Sequence, residues 1–256
     1  SDSIDIIINT TPVGMFPNTD GCVINISEFK NLCGVIDAIY NPLKTNLILS
    51  ALNSGIKAAG GLYMLVAQAA FASRLFTGDE NVISKTDTVY KEILAGKQNI
   101  VLTGMPGCGK TTLGKKIAEE LNREFIDTDE LFEKKFKISI ADFFKKYGEE
   151  KFREKETEII KSVCDRQSIV IATGGGAVTQ SRNISLLKRN GKIFFIDKEI
   201  KFLQTGNGRP LTPDFEALQK KYNERLPLYI KSADKHLKLS DDLNSNIIIL
   251  LNSVKE

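Results

Sequence analysis

Gly104-Met105-Pro106-Gly107-Cys108-Gly109-Lys110-Thr111 satisfies the spacing G-x-x-x-x-G-K-[ST], between the apolar run NIVLT and an amphipathic run that starts at Lys110. A glycine-rich loop that leaves a strand and opens a helix turns successive backbone N–H groups inward around an anion, and the helix presents its positive end to the same point. Gly104, Gly107, Cys108 and Gly109 would form the cradle. Lys110 would reach the outer phosphates of a nucleotide, the Thr111 hydroxyl would face Mg²⁺, and Thr112 closes the loop. Cys108 reads as a small tolerated residue rather than an activated thiol.

Four more short apolar runs follow, in EFID, SIVIAT, KIFFID and HLKLS, with helical patterns between them. Such alternation predicts an α/β fold with a five-stranded parallel sheet covered on both faces, whose ligands bind beyond the carboxyl ends of the strands. Polar and glycine-rich segments stand at or near that edge. Asp127 and Asp129 close the second run, and alternate spacing on extended chain would aim both carboxylates to one side. One would hold the metal's water and the other accept a proton from an attacking hydroxyl; alternatively, either is an N-cap aspartate of the next helix. Gly174, Gly175 and Gly176 follow the third run and either offer N–H groups at the edge or make a tight loop. Arg153 stands three residues before Glu156, so the pair either presents a guanidinium to an anion or is a surface salt bridge. Arg209, in a loop rich in glycine and proline, would sit on a hinged cover, and Arg225 precedes Leu-Pro-Leu-Tyr. Guanidinium groups suit both a carboxylate and a phosphoryl group in transfer.

The motifs GMPGCGKTT, FIDTDE, ISIADFFKKYGEEKFREKE, TGGGAV, GRPLT and ERLPLYIKSAD, in this order and spacing, closely resemble shikimate kinase over about residues 97 to 256. The resemblance implies a P-loop NTPase fold of the nucleoside monophosphate kinase kind and phosphorylation of shikimate by ATP with Mg²⁺. It implies that Asp129 holds the substrate hydroxyls and serves as base, and that Arg153, Arg225 and Gly174 to Gly176 bind substrate. It also implies that Arg209 is the lid arginine, Asp127 belongs to the metal shell and Thr111 ligates Mg²⁺ directly. Gln204 stands where many members carry an arginine against the nucleotide, and LSDDLNSN lacks the proline of the adenine loop. The near alternatives are another small-molecule P-loop kinase, such as a gluconate kinase, or a catalytically quiet assembly module.

Upstream, residues 4 to 9 read as a buried strand and GVIDAIY as a second, followed by helix, short extended stretch and helix up to Gly78. NTTPVGM, VIDAIYNPLKTNLI and GLYMLVAQAAFASRLFTG resemble the C-terminal end of shikimate dehydrogenase, a partial Rossmann-like α/β segment. That resemblance places Gly14 and Met15 beside a nicotinamide, Tyr40 near substrate and Gln68 against a hydroxyl, although Gln68 also reads as a polar residue on an otherwise apolar helix. No G-x-G-x-x-G fingerprint precedes these motifs, so hydride transfer by this chain alone is not expected. The expected division is a dehydrogenase fragment over 1–78, a linker carrying a turn or two of helix over 79–97, and a kinase domain over 98–256. The chain reads as a truncated bifunctional polypeptide whose remaining dehydrogenase portion is the expected partner.

Residues 1–96 carry 6 Lys/Arg against 9 Asp/Glu, and the remainder 29 against 23. The basic residues are interleaved with acids on helical patterns, which makes a solvated face rather than a nucleic-acid surface. No run approaches the roughly 18 apolar residues of a spanning helix, so no membrane partner is expected. Four scattered cysteines and a single His236 argue for a reducing cytoplasm and against a zinc site.

Overall fold

The computed structural model describes residues 4–203 and 215–255. The chain divides into two compact units, one of Ser1–Gln98 with Lys188–Asn190 and the other of Asn99–Leu187 with Gly191–Glu256.

In the first unit, β1 (Ile6–Asn9), β2 (Gly34–Asp37) and β3 (Lys57–Ala59) form a parallel sheet in that order. Helix α1 (Asn46–Asn53) joins β2 to β3, and its N-cap Thr45 accepts from the Ile48 N–H. Because side chains alternate along a strand, Val35, Ile7 and Ala58 pack with α1 while Ile6 and Ile8 are 56% and 62% exposed. The strand expected as buried is therefore buried on one face only, since among the described residues α1 supplies a layer on that side. Helix α2 (Leu62–Thr77) ends at Gly78, whose φ of +69° is the left-handed cap that glycine adopts without strain. Residues 79–97 are more ordered than the expected linker. They form α3 (Asn81–Ser84) and the three-turn α4 (Thr86–Lys97), and α4 is tied to α2 by the Tyr63 hydroxyl donating to Asp87 at 2.9 Å and by the Tyr63–Tyr90 edge contact at 5.3 Å.

The second unit restarts with β4 (Asn99–Thr103), buried along its whole length. Then come α5 (Lys110–Glu120), β5 (Glu124–Asp127), α6 (Thr128–Phe136), α7 (Ile140–Cys164), β6 (Ile169–Ala172), α8 (Ser181–Asn190), β7 (Gly191–Lys198), α9 (Phe215–Ser232), β8 (Lys235–Leu239) and α10 (Leu243–Lys255). The five strands pair in the order β5-β6-β4-β7-β8, all parallel, as the alternating apolar runs predict. Parallel strands need helical crossovers, and these cover both faces. One layer of core joins Ile100, Leu102, Ile117, Phe194 and Leu250, and the other Val101, Ile160, Ile171 and Ile193. Alternate residues of β4 thus serve opposite layers.

Two local features place the site. The central strand β4 runs straight into the glycine loop. Within α7 the helix breaks at Gly148, at φ +80° and ψ 173°, so that a new helical turn starts at Glu149 and carries Arg153. A side chain at that φ is disfavoured, so a glycine stands at the break.

Candidate active site

The loop between β4 and α5 is held open by its own lysine. Lys110, 8% exposed, donates to the Gly104 carbonyl at 3.0 Å and the Met105 carbonyl at 2.9 Å, with Cys108 Sγ at 3.8 Å. The loop takes positive φ at Gly107 (+81°) and Gly109 (+94°), which L side chains rarely adopt. Cys108 is buried and packs in the core, as its reading as a small tolerated residue implies; Thr112, beyond the loop, is exposed.

Asp127 and Asp129 converge, though not by strand alternation. Asp127 closes β5 and is the N-cap of α6: its Oδ1 accepts from the Asp129 N–H at 2.9 Å and the Glu130 N–H at 3.4 Å. Its Oδ2 accepts the Thr111 hydroxyl at 2.6 Å. This aspartate is thus the N-cap that the sequence allowed, with its second oxygen turned to Thr111. Asp129 is in the first turn of α6 rather than on extended chain, which corrects the expected reason for its placement. The Thr128 hydroxyl between them accepts from the Gly174 N–H at 3.1 Å and seats the glycine loop on α6.

That loop leaves β6 and presses on three charged groups at once. A Cβ on Gly174 would stand 2.5 Å from Asp129 Oδ1 and 3.0 Å from Glu156 Oε1, and one on Gly176 would stand 2.2 Å from Arg153 Nη2. Neither position has room for a side chain. Arg153 is 8% exposed and donates to Glu156 Oε2 at 2.8 Å and to Glu149 Oε1 at 3.1 Å. With Glu156 only 2% exposed, this is a buried pair rather than a surface salt bridge. The other oxygen, Glu156 Oε1, is buried without a hydrogen-bond partner beside Gly174. Arg225, on α9 and 4% exposed, donates to the Gly175 carbonyl at 3.1 Å.

These groups line one cavity of about 290 Å³, together with Pro106, Gly107, Lys110, Thr111 and Asp127. Its apolar wall includes Ile140, Phe144 and Phe152 from α7. Burial, then the nearby Asp127 and Glu156 carboxylates, push Asp129 up to about 7, with Lys110 and Arg153 opposing. Burial likewise holds Glu156 above its usual range despite Arg153. Burial would lower Arg153, but Glu156 and then Glu149 more than offset it and leave it raised, firmly cationic.

Sequence reasoning thus met Lys110, Thr111, Asp127, Asp129, Arg153, Arg225 and the glycine triplet in one cavity, while Gly104, Cys108 and Gly109 shape the loop beneath it. Arg209 and Gln204 lie outside the described residues. Glu156, noted in the sequence only as a partner for Arg153, also lines the cavity. The aromatic wall lies within the motif ISIADFFKKYGEEKFREKE, in which the sequence singled out Arg153 and Glu156 but not the apolar residues.

The sequence profile of the family described as Shikimate kinase matches residues 106–251. The chain belongs to the shikimate kinase family. Shikimate kinase of Caldicellulosiruptor saccharolyticus is 40% identical over 169 residues, covering 62% of this chain and 98% of the relative. Shikimate kinase 1 of Escherichia coli is 36% identical over 163 residues, covering 60% of this chain and 94% of the relative. Among solved structures, shikimate kinase from Acinetobacter baumannii in complex with shikimate superposes with a TM-score of 0.61 at 31% identity, over 64% of this chain and 96% of that one. The shikimate kinase unit is a phosphotransferase with the P-loop NTPase fold. No helix among the described residues is long and apolar enough to cross a membrane.

Proposed function

We propose that one cavity carries out the whole transfer: ATP binds with its phosphates in the loop 104–112, shikimate binds beside it, and the γ-phosphoryl group passes to a shikimate hydroxyl. The observation that carries this reading is the placement of Asp129, held near neutrality, between the phosphate loop and a pair of buried guanidinium groups. Lys110 exchanges its bonds to the loop carbonyls for the β- and γ-phosphate oxygens. Asp129 accepts the hydroxyl proton as the oxygen–phosphorus bond forms and ADP leaves. Arg153 and Arg225 bind the substrate carboxylate and, with the glycine loop, orient the ring. Arg209 is assigned to the phosphates on the resemblance alone. Catalysis is then chiefly positioning and charge stabilisation.

The residues present fit Mg²⁺. Thr111 Oγ1 and Asp127 Oδ2 are hard oxygen donors 2.6 Å apart, and the described residues hold no cluster of three or more His, Cys, Asp or Glu that could bind a metal. A single hydroxyl with an adjacent carboxylate suits an ion that keeps several waters and takes phosphate oxygens. When bound, Mg²⁺ supplies charge neutralisation on the phosphates; Thr111 would ligate it and Asp127 would hold its water.

Residues 98–256 are assigned as the kinase domain and residues 1–78 as the C-terminal part of a shikimate dehydrogenase nucleotide-binding domain. The motif resemblance and the parallel β1-β2-β3 sheet support the latter. Lacking a dinucleotide fingerprint in this chain, that segment is assigned no hydride transfer, and the cytoplasm is the proposed setting. The test is ADP release from Mg-ATP with and without shikimate, with gluconate as competing acceptor and with NADP⁺ plus shikimate in parallel. Shikimate-dependent ADP release without NADPH is expected. Silence with shikimate would refute the kinase reading, turnover of gluconate would move the substrate class, and NADPH would overturn the assignment of residues 1–78.

A further inference from the structure

Tyr229 lies one turn beyond Arg225 on α9, fully buried and stacked flat on Phe195 at 4.8 Å and 8°. Its hydroxyl donates to the Gly175 carbonyl, the same oxygen that Arg225 Nη1 reaches at 3.1 Å. A carbonyl oxygen has two lone pairs, and here both are taken by donors from one helix. In a trans peptide the carbonyl and the following N–H point in opposite directions. Fixing the Gly175 oxygen toward α9 therefore fixes the Gly176 N–H away from it. Neither the Gly175 nor the Gly176 N–H donates to any acceptor among the described residues, and both residues line the cavity. Gly176 meanwhile lies directly against the Arg153 guanidinium.

We propose that Tyr229 is a positioning residue for the anionic group of the acceptor: with Arg225 it locks the Gly175–Gly176 peptide so that the Gly176 N–H and the Arg153 guanidinium meet one carboxylate. The proposal rests on the reading of the cavity as the shikimate site. Burial raises the Tyr229 phenol well above its usual range, so the hydroxyl remains a donor throughout the working pH range. Its contact with the Met105 sulfur, at 3.8 Å, is a weak one, because the single hydroxyl proton is already given to the Gly175 carbonyl, and Met105 is itself 2% exposed among core residues.

The test is Tyr229→Phe in the full chain, which keeps the ring and its stacking and removes one oxygen. Kinetics are measured with shikimate and Mg-ATP, with methyl shikimate as a neutral competitive inhibitor and a thermal melt as control. Loss of a hydrogen bond that orients a donor to a charged group predicts about a tenfold rise in KM for shikimate. The loss should fall on that KM rather than on kcat or on KM for ATP, and Ki for the neutral ester should stay within about twofold. An unchanged KM for shikimate, an equal loss of ester and acid, or an equal loss of ATP affinity would each overturn the proposal. So would a fall in Tm of more than about 10 °C, which would make the hydroxyl a support of the fold. No shikimate turnover by the unaltered chain would defeat the kinase reading itself, and this proposal with it.

Discussion

Replacing Asp129 by Asn should make the ligand-free protein more stable and the enzyme nearly inactive. The carboxyl is pushed from 3.8 to about 7, by burial first and then by Asp127 and Glu156. Three units at about 1.4 kcal/mol each set a ceiling of about 4 kcal/mol for keeping Asp129 ionised above pH 7. Asp129 is only half-buried by surface area, so water screens part of this and about 2 kcal/mol is the working figure. Because the folded value lies above the unfolded one, the folded state holds an extra proton between about pH 4 and 7. The stability linked to this group is complete below about pH 4 and is lost as pH rises through 7. Asn imitates the protonated form at every pH. The variant should therefore melt about 4–8 °C higher than the unaltered chain at pH 8, at roughly 2–4 °C per kcal/mol, and the gap should shrink steadily toward pH 5. Melts in the absence of nucleotide at pH 8, 6.5 and 5 measure it. A gap that does not vary with pH, or a less stable variant at pH 8, would show that Asp129 is not a carboxylate held against its preference. In the same preparation nucleotide affinity should be kept while kcat falls at least about 100-fold, and unchanged turnover would remove the base role.

Three further outcomes follow from the same geometry. Lys110→Ala should lose at least about 10²-fold in kcat/KM by steady-state assay, because the phosphates lose their closest cation, and a thermal melt should show the fold kept although the buried Gly104 and Met105 carbonyls lose their donor. Gly176→Ala would set a methyl 2.2 Å from the Arg153 guanidinium, so isothermal titration should show shikimate affinity reduced about tenfold or more with ATP affinity kept. Thr111→Ala removes the hydroxyl that Asp127 accepts at 2.6 Å, and a Mg²⁺ titration of activity should shift to several-fold higher concentration while shikimate binding is unchanged.

What the sequence displayed well was what is local in the chain. The phosphate loop, the glycine triplet and the α6 cap each lie within a few residues of a strand end, and the parallel topology brings strand ends to one edge whatever the intervening helices do. The packing of α4 on α2 depends on residues distant in the chain. The site shows the same division more sharply. Asp129 was named for a strand geometry it does not have, because β5 ends at Asp127, two residues short of it, and Asp127 caps a helix. Arg153 and Glu156 at i, i+3 fit a solvated pair as well as a buried one; what buries them is the break at Gly148, which restarts the helix and brings its first turn against the glycine loop. Three glycines were legible as a turn or as N–H donors, yet the reason no side chain fits is the set of charges on the other side: Asp129 and Glu156 at Gly174, Arg153 at Gly176. The charges occupy the space a methyl would take, so the loop's backbone and the Asp129 carboxylate share a surface. A peptide this close to Asp129 excludes water from it, and that exclusion is the first cause of its raised proton affinity. The glycines proposed to bind substrate would therefore also set the proton affinity of the proposed base, and a substitution at Gly174 should disturb the acid limb of the pH–rate profile as well as KM.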